Sequence, residues 1–171
     1  MNVYFYDPQK DSEGLTNKIV SWLDGPFCHC ELQFDGIESC AMYLGTEIIT
    51  QKREYDMKYY TKIAVKSSIL QDKIARAKIE EMKLEKKKCT LMAMSSCFLN
   101  MKMHTNQTFC SKMITEVLLS CGLLDNIEPD KTSPSALYRK LCVKYNAQAT
   151  KGSVTVIDFV GDARNMRFVT S

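Results

Sequence analysis

The sequence lacks most of the features that assign a chain to a class at first sight. It has no Cys-x-x-Cys pair and only two histidines, so a zinc site is not expected. Its one close cluster, Cys28-His29-Cys30, falls on a predicted strand, where neighbouring side chains point to opposite faces. No apolar run approaches the roughly 20 residues of a membrane-spanning helix. No secretory leader precedes the first strand. We therefore expect no metal, no cofactor, no transmembrane segment, and eight reduced cysteines in a cytoplasm-like reducing compartment.

The sequence also lacks a large excess of either positive or negative charge. The 23 basic and 20 acidic residues are interspersed and give a net charge of only +3. The lysine-rich stretch over residues 73–88 has no interleaved aromatics, which indicates a solvated helix rather than a nucleic-acid surface. We therefore expect no specific nucleic-acid partner. With 45% hydrophobic residues and neither repeat nor linker, residues 1–171 are expected to form one globular domain.

Hydrophobic periodicity predicts an α+β fold. The expected strands cover residues 2–6, 27–34, 37–42, 46–51, 59–66 and 154–160, and the expected helices cover 15–23, 69–88, 105–124 and 133–144. The dipeptide Asp35-Gly36 is typical of a hairpin turn between the second and third strands. The methionine-rich residues 89–104 show no clear pattern.

The helix predicted over residues 105–124 carries Cys110 in its first turn. Asn106 and Thr108 are candidate N-caps, and Gly122 is placed to end the helix. Free backbone N–H groups and the helix dipole at such a position favour thiolate over thiol, as a nucleophilic cysteine requires. The alternative is that Cys110 merely packs in the core, as most cysteines on apolar helix faces do.

A thiol nucleophile needs an imidazole and a polar group that orients it. His29 and Glu31 lie two apart on a predicted strand and so share a face, although their Cβ atoms would be about 6.5–7 Å apart. The carboxylate must therefore lean back towards the ring, and Glu38 or Ser39 on the next strand are alternative partners. His104 is the reserve base. His29 alone is equally typical of a histidine in a half-buried strand.

Three segments, taken in order, carry a resemblance to a known family. They are FCHCELQFDG (27–36), TFCSKMITEVLLSCGL (108–123) and SPSALYRKL (133–141). The set resembles the circularly permuted papain-like group related to NlpC-type hydrolases, and within it the YiiX-type bacterial proteins and their poxvirus relatives. The resemblance implies a permuted papain-like fold, with an antiparallel sheet packed against the helix that bears the nucleophile.

The resemblance also implies roles. Cys110 would be the nucleophile, with its N–H in the oxyanion hole, His29 the general base and Glu31 the third member. Tyr4 and Tyr6 could add a hydrogen bond nearby, although no family motif matches them. One departure is that cysteines flank His29 where small or apolar residues are usual.

The function that follows is a thiol hydrolase that cleaves an amide, peptide or isopeptide-like, or an ester through a thioester intermediate. Its partners would be peptide, amide or acyl-lipid substrates, in the host cytoplasm if the protein is viral. The alternatives are a thiol acyltransferase or lipase acting on lipid acyl groups, and a catalytically idle papain-like domain that binds partners.

Overall fold

The computed structural model describes residues 1–10, 25–34, 37–90, 92–94 and 107–145. Five sequence predictions lie outside these ranges: the helix over 15–23, the turn at Asp35-Gly36, the strand over 154–160, the placement of His104 and the N-cap candidate Asn106. The description below concerns only the described ranges given above.

Five strands form one antiparallel sheet with the order β4-β3-β2-β1-β5. Their bounds are β1 Asn2–Tyr6, β2 His29–Gln33, β3 Glu38–Ala41, β4 Ile49–Lys52 and β5 Tyr60–Ala64. A 3₁₀ turn at Pro8–Lys10 follows β1. The five strands predicted within this part of the chain are confirmed: β1 has the predicted bounds, and the ends of the other four are shifted by one to three residues.

The sheet has two unlike faces because side chains alternate along each strand. One face is apolar and lies in the core, where its residues are at most 2% exposed: Val3, Phe5, Cys30, Leu32, Cys40 and Ile63. The other face is polar yet also buried around the middle strands, with Tyr4, Glu31, Gln33 and Ser39 at 0 to 7% exposure. The predicted shared face of His29 and Glu31 is therefore this polar one.

Three long helices follow the sheet: α1 Ile69–Leu84, α2 Cys110–Ser120 and α3 Pro134–Tyr145. A two-stranded parallel ladder, β6 Lys88–Cys89 with β7 Gln107–Thr108, precedes α2, and a 3₁₀ turn at Pro129–Lys131 precedes α3. In the described ranges, none of the helices combines the length and apolar character needed to cross a lipid bilayer.

The first long helix is shorter than predicted. A capping box between Ser68 and Gln71 begins α1, and Ala75, Ile79 and Met82 bury its apolar side. The charged residues after Leu84 have good helix propensity but offer no apolar row to pack. Lys86 takes a left-handed φ of 51°, and the chain turns into β6. Tertiary pairing thus overrides local propensity at residues 85–88.

The prediction for the start of α2 at Thr108 is wrong, and the prediction for its end at Gly122 is confirmed. Thr108 is not the N-cap, because it pairs with Cys89 in the β6–β7 ladder and the cap position falls to Phe109, which supplies no side-chain hydrogen bond. The predicted stop at Gly122 is confirmed. Gly122 has φ 69°, its N–H donates to Leu119 O at 3.0 Å, and Leu123 N–H donates to Leu118 O at 2.8 Å. These two bonds form a Schellman motif.

Helix α2 is the centre of the core. It packs on β2 and contacts both α1 and α3, and Met113, Ile114, Val117 and Leu118 are fully buried. An antiparallel sheet with packed helices confirms the α+β prediction.

Ser135 links α3 to the strand that carries His29. Its Oγ accepts from Phe27 N–H at 3.1 Å and lies 3.2 Å from Phe27 O, and all three groups are buried. Gly25, at φ 125°, runs against the Ser135 side chain so closely that a Cβ would lie 3.1 Å from its Oγ. The SPSALYRKL segment therefore fixes the entry of the FCHCELQF strand.

Replacing Ser135 by alanine should lower the free energy of unfolding by about 1–3 kcal/mol, because a buried Phe27 N–H loses its acceptor. Chemical denaturation measures this change. Ser120→Ala is the matched control, since Ser120 is exposed and bonds only within its own helix; it should change stability by no more than about 0.5 kcal/mol. Equal losses in both variants would show that the Ser135 link stabilises nothing.

Candidate active site

Cys110 is the first residue of α2, and it lies beside the start of β2. Strand β2 pairs with β1 over its whole length, but with β3 at Leu32↔Cys40 and Gln33↔Ser39 alone among the described residues. Among the described residues, the first three residues of β2 therefore have no pairing partner in β3. The Cys30 backbone there bonds to the Cys110 sulfur, which is 3% exposed.

The surroundings of Cys110 favour its ionised form. The Cys30 thiol, placed to donate a hydrogen bond to the Cys110 sulfur, and the positive charge of His29 lower the pKa of Cys110 well below its ordinary value. Burial acts in the opposite direction but is outweighed. The position at the start of a helix favours the same negative charge. The surroundings of Cys110 therefore favour the thiolate over the thiol.

His29 shows the complementary shift. Burial by itself lowers the pKa of His29, but the negative charges of Cys110 and Glu31 outweigh burial and raise this pKa to about 9. Its side chain is 15% exposed, so screening by water is limited. The two shifts together favour a thiolate–imidazolium pair, the resting state expected of an activated thiol nucleophile.

The neighbouring cysteines stay protonated. Burial and the charge of Cys110 raise the pKa of Cys28 and of Cys89 to about 12, and burial and Cys110 also raise that of Cys30. The two cysteines that flank His29 are thus thiols beside a single thiolate. Ionisation distinguishes Cys110 from them, since all four are buried.

Glu31 reaches back to His29, as the strand spacing required. Its side chain is fully buried, and its Oε1 lies 3.3 Å from His29 Nε2, without the alignment of a hydrogen bond. Arg53 Nη1 lies 2.9 Å from the same oxygen. Tyr43 OH donates to Oε1 at 3.1 Å and Tyr55 OH to Oε2 at 2.9 Å. Burial alone raises the pKa of Glu31, but His29 and Arg53 outweigh it and lower this pKa.

The other candidate partners of His29 are engaged elsewhere. Glu38 forms an ion pair with Arg76 of α1. Ser39 lies 3.4 Å from Gln33 Nε2 in a buried polar layer. Tyr4, considered as an extra donor, gives its hydroxyl hydrogen to Gln33 and stacks on Tyr55 at a centroid distance of 3.7 Å, so it lies behind Glu31. Tyr6 packs its ring against Tyr60 at 5.3 Å.

Sequence reasoning missed the residues that surround Glu31. Arg53 and Tyr55 follow β4, and Tyr43 follows β3, in segments without periodicity. One signal was present: extending the β2–β3 register by three pairs beyond Leu32↔Cys40 places Tyr43 opposite His29. A second signal was the carboxylate itself, since a glutamate on a buried strand face needs a cation and hydrogen-bond donors.

The helix end beside Cys110 has backbone donors to offer. The first bond within α2 runs from Met113 N–H to Phe109 O at 3.0 Å, so the N–H groups of residues 110–112 have no acceptor inside the helix. The Cys110 N–H donates to the buried Cys89 sulfur. N–H groups at the start of a helix in general suit a developing oxyanion. Within the described ranges, no set of three His, Cys, Asp or Glu side chains is arranged to hold a metal ion.

No protein-family model, curated protein or solved structure matches the chain. The interpretation of the site therefore depends on its geometry and electrostatics. The family resemblance of the three segments remains a prediction.

Brief treatment of the native protein with iodoacetamide at about pH 6 should label Cys110 ahead of Cys142, as mapped by mass spectrometry. Cys142 is the more exposed thiol, but burial raises its pKa, so exposure and ionisation predict opposite orders. In His29→Ala, loss of the imidazolium raises the Cys110 pKa, and labelling at this pH should slow by about tenfold or more.

The difference between wild type and His29→Ala should shrink as the pH rises above roughly 9, because His29 then loses its proton and no longer stabilises the thiolate, while the thiolate fraction of the variant increases with pH. Preferential labelling of Cys142, or equal rates for Cys110 with and without His29, would show that Cys110 is not an activated thiolate.

Proposed function

We propose that the protein is a thiol hydrolase that cleaves an amide, peptide or isopeptide-like, or an ester. The observation that supports this most directly is the buried Cys110–His29 pair at a helix start, with the His29 pKa raised to about 9. A purely structural cysteine has no need of a cationic neighbour, and burying such a charge is unfavourable unless it is used or compensated.

In the proposed reaction, Cys110 Sγ attacks the carbonyl carbon and forms a C–S bond. The oxyanion is stabilised by N–H groups at the start of α2. The tetrahedral intermediate then breaks its C–N or C–O bond, and the leaving group takes a proton from His29. Water attacks the resulting thioester while His29 accepts a proton, which releases the carboxylic acid and restores the Cys110 thiolate.

The orientation of His29 fits these steps. Nε2 faces Glu31, so Nδ1 is the nitrogen left to exchange a proton with Cys110 and the leaving group. Glu31, held ionised by Arg53, stabilises the imidazolium. The role of Glu31 in the proposal is therefore to orient and stabilise His29, and it takes no proton itself.

We further propose the permuted papain-like family as the origin of this arrangement. The three resembling segments contact one another in the fold. Cys110 meets His29, Ser135 Oγ bonds to Phe27, and α2 packs against α3. The seven cysteines in the described ranges are free thiols, which supports a reducing compartment.

An activated ester such as p-nitrophenyl acetate should acetylate Cys110, and intact-mass spectrometry should detect the thioester. Cys110→Ala should abolish acylation and His29→Ala should reduce it by at least about a thousandfold, because nucleophile and base act as a unit. Glu31→Gln should have a smaller effect, since Tyr43 still contacts the ring.

The same assay with peptide amides, phospholipids and added alcohol or amine acceptors separates the alternatives. Product that increases with acceptor concentration indicates an acyltransferase, and release to water alone indicates a hydrolase. If Cys110 reacts with iodoacetamide at low pH yet no acyl donor modifies it, the protein is a binding domain and the proposal is wrong.

A further inference from the structure

Tyr43 contacts both partners of the proposed base. Its ring stacks on the His29 imidazole, with centroids 5.0 Å apart and planes inclined by 26°. Its hydroxyl donates to Glu31 Oε1 at 3.1 Å. One side chain thus restrains the plane of the imidazole and the carboxylate beside it.

Tyr43 is itself held from two sides. Its backbone N–H donates to Thr46 Oγ1 at 2.9 Å, and the Thr46 hydroxyl donates to Tyr43 O at 2.9 Å, so the turn after β3 is closed on itself. The Arg53 guanidinium donates to the Tyr43 hydroxyl and also lies 2.9 Å from Glu31 Oε1. The ring is therefore placed before any substrate arrives.

Glu31 alone does not fix the imidazole. His29 Nε2 lies 3.3 Å from Oε1 but lacks hydrogen-bond alignment, and that oxygen also receives Arg53 and Tyr43. A stacked aromatic face restricts rotation of the imidazole and attracts its positive charge. The groups with charge that face His29 are Cys110 from α2 and Glu31 from β2, with Arg53 behind Glu31.

We propose that Tyr43 is a positioning residue, whose stacked ring holds the His29 imidazolium in line with the Cys110 thiolate. This inference rests on the proposed function, because it assigns a role within the same site. The stack, more than the hydroxyl, carries the effect: the hydroxyl acts on Glu31, while the ring acts on His29 directly.

Tyr55 provides a matched control. It also donates its hydroxyl to Glu31, at Oε2 and 2.9 Å, and it also stacks on an aromatic ring, that of Tyr4 at 3.7 Å. Its stacking partner, however, is not His29. Removing the hydroxyl or the ring of Tyr55 therefore disturbs Glu31 and the packing to a similar extent without releasing the imidazole.

The test compares Tyr43→Phe, Tyr43→Leu, Tyr55→Phe and Tyr55→Leu in the full chain by the pH profile of Cys110 labelling with iodoacetamide. Tyr43→Leu should slow labelling at about pH 6 by roughly tenfold, one unit in thiolate pKa. Tyr43→Phe should restore most of the rate, because the ring remains. Tyr55→Leu should slow labelling clearly less than Tyr43→Leu, because it disturbs Glu31 but leaves the ring that stacks on His29 in place.

A second measurement needs no variant of Tyr43. In the wild-type protein, the ring current of a stacked tyrosine should shift the His29 imidazole protons upfield in the NMR spectrum, and His104→Gln identifies the other histidine. Unshifted His29 protons, or equal slowing in Tyr43→Leu and Tyr55→Leu, would overturn the inference. Slow labelling of wild-type Cys110 at about pH 6 would instead contradict the proposed function itself.

Discussion

The buried negative charge of Glu31 is the constraint on which much of this structure depends. A carboxylate at 0% exposure is costly unless charge and hydrogen bonds compensate it. Arg53, Tyr43 and Tyr55 provide that compensation from segments after β3 and β4, so these segments must close over the polar face of the sheet. Because Glu31 is held there, His29 meets an ionised partner two residues away on the same strand.

Helix α2, strand β2 and the segment after β4 together supply one row of alternating charges. Cys110 at the start of α2 is negative, His29 positive, Glu31 negative and Arg53 positive. Each charge is stabilised by its neighbours, so that no member is buried alone. The row runs from the core side of β2 to the far face of the sheet, and it couples the thiol to a loop residue that does not touch it.

Local sequence patterns were sufficient to predict three of these four charged residues. The periodicity around Cys110 and the alternation of His29 and Glu31 predicted the helix, the strand and the shared face. Gly122 predicted the helix end because its conformation is a local property. The prediction of Thr108 as N-cap was wrong because Thr108 pairs with Cys89, and this tertiary contact leaves no local signal.

Arg53 could not be predicted for the same reason as the pairing of Thr108: its role follows from how the loop after β4 folds over the sheet, and no spacing in the sequence encodes that. Tyr43 could be placed opposite His29 once the β2–β3 register is known, but its bond to Glu31 also depends on tertiary structure.

The β1–β2 register has a consequence for how this site tolerates change. Tyr6 opposite His29 and Tyr4 opposite Glu31 set which side chains of β2 face the polar layer. Inserting or deleting a single residue in the strand would exchange its two faces. Glu31 would then lie under α2, and Cys30 would occupy the polar layer. Strand β2 can accept single substitutions, but its register against β1 is fixed.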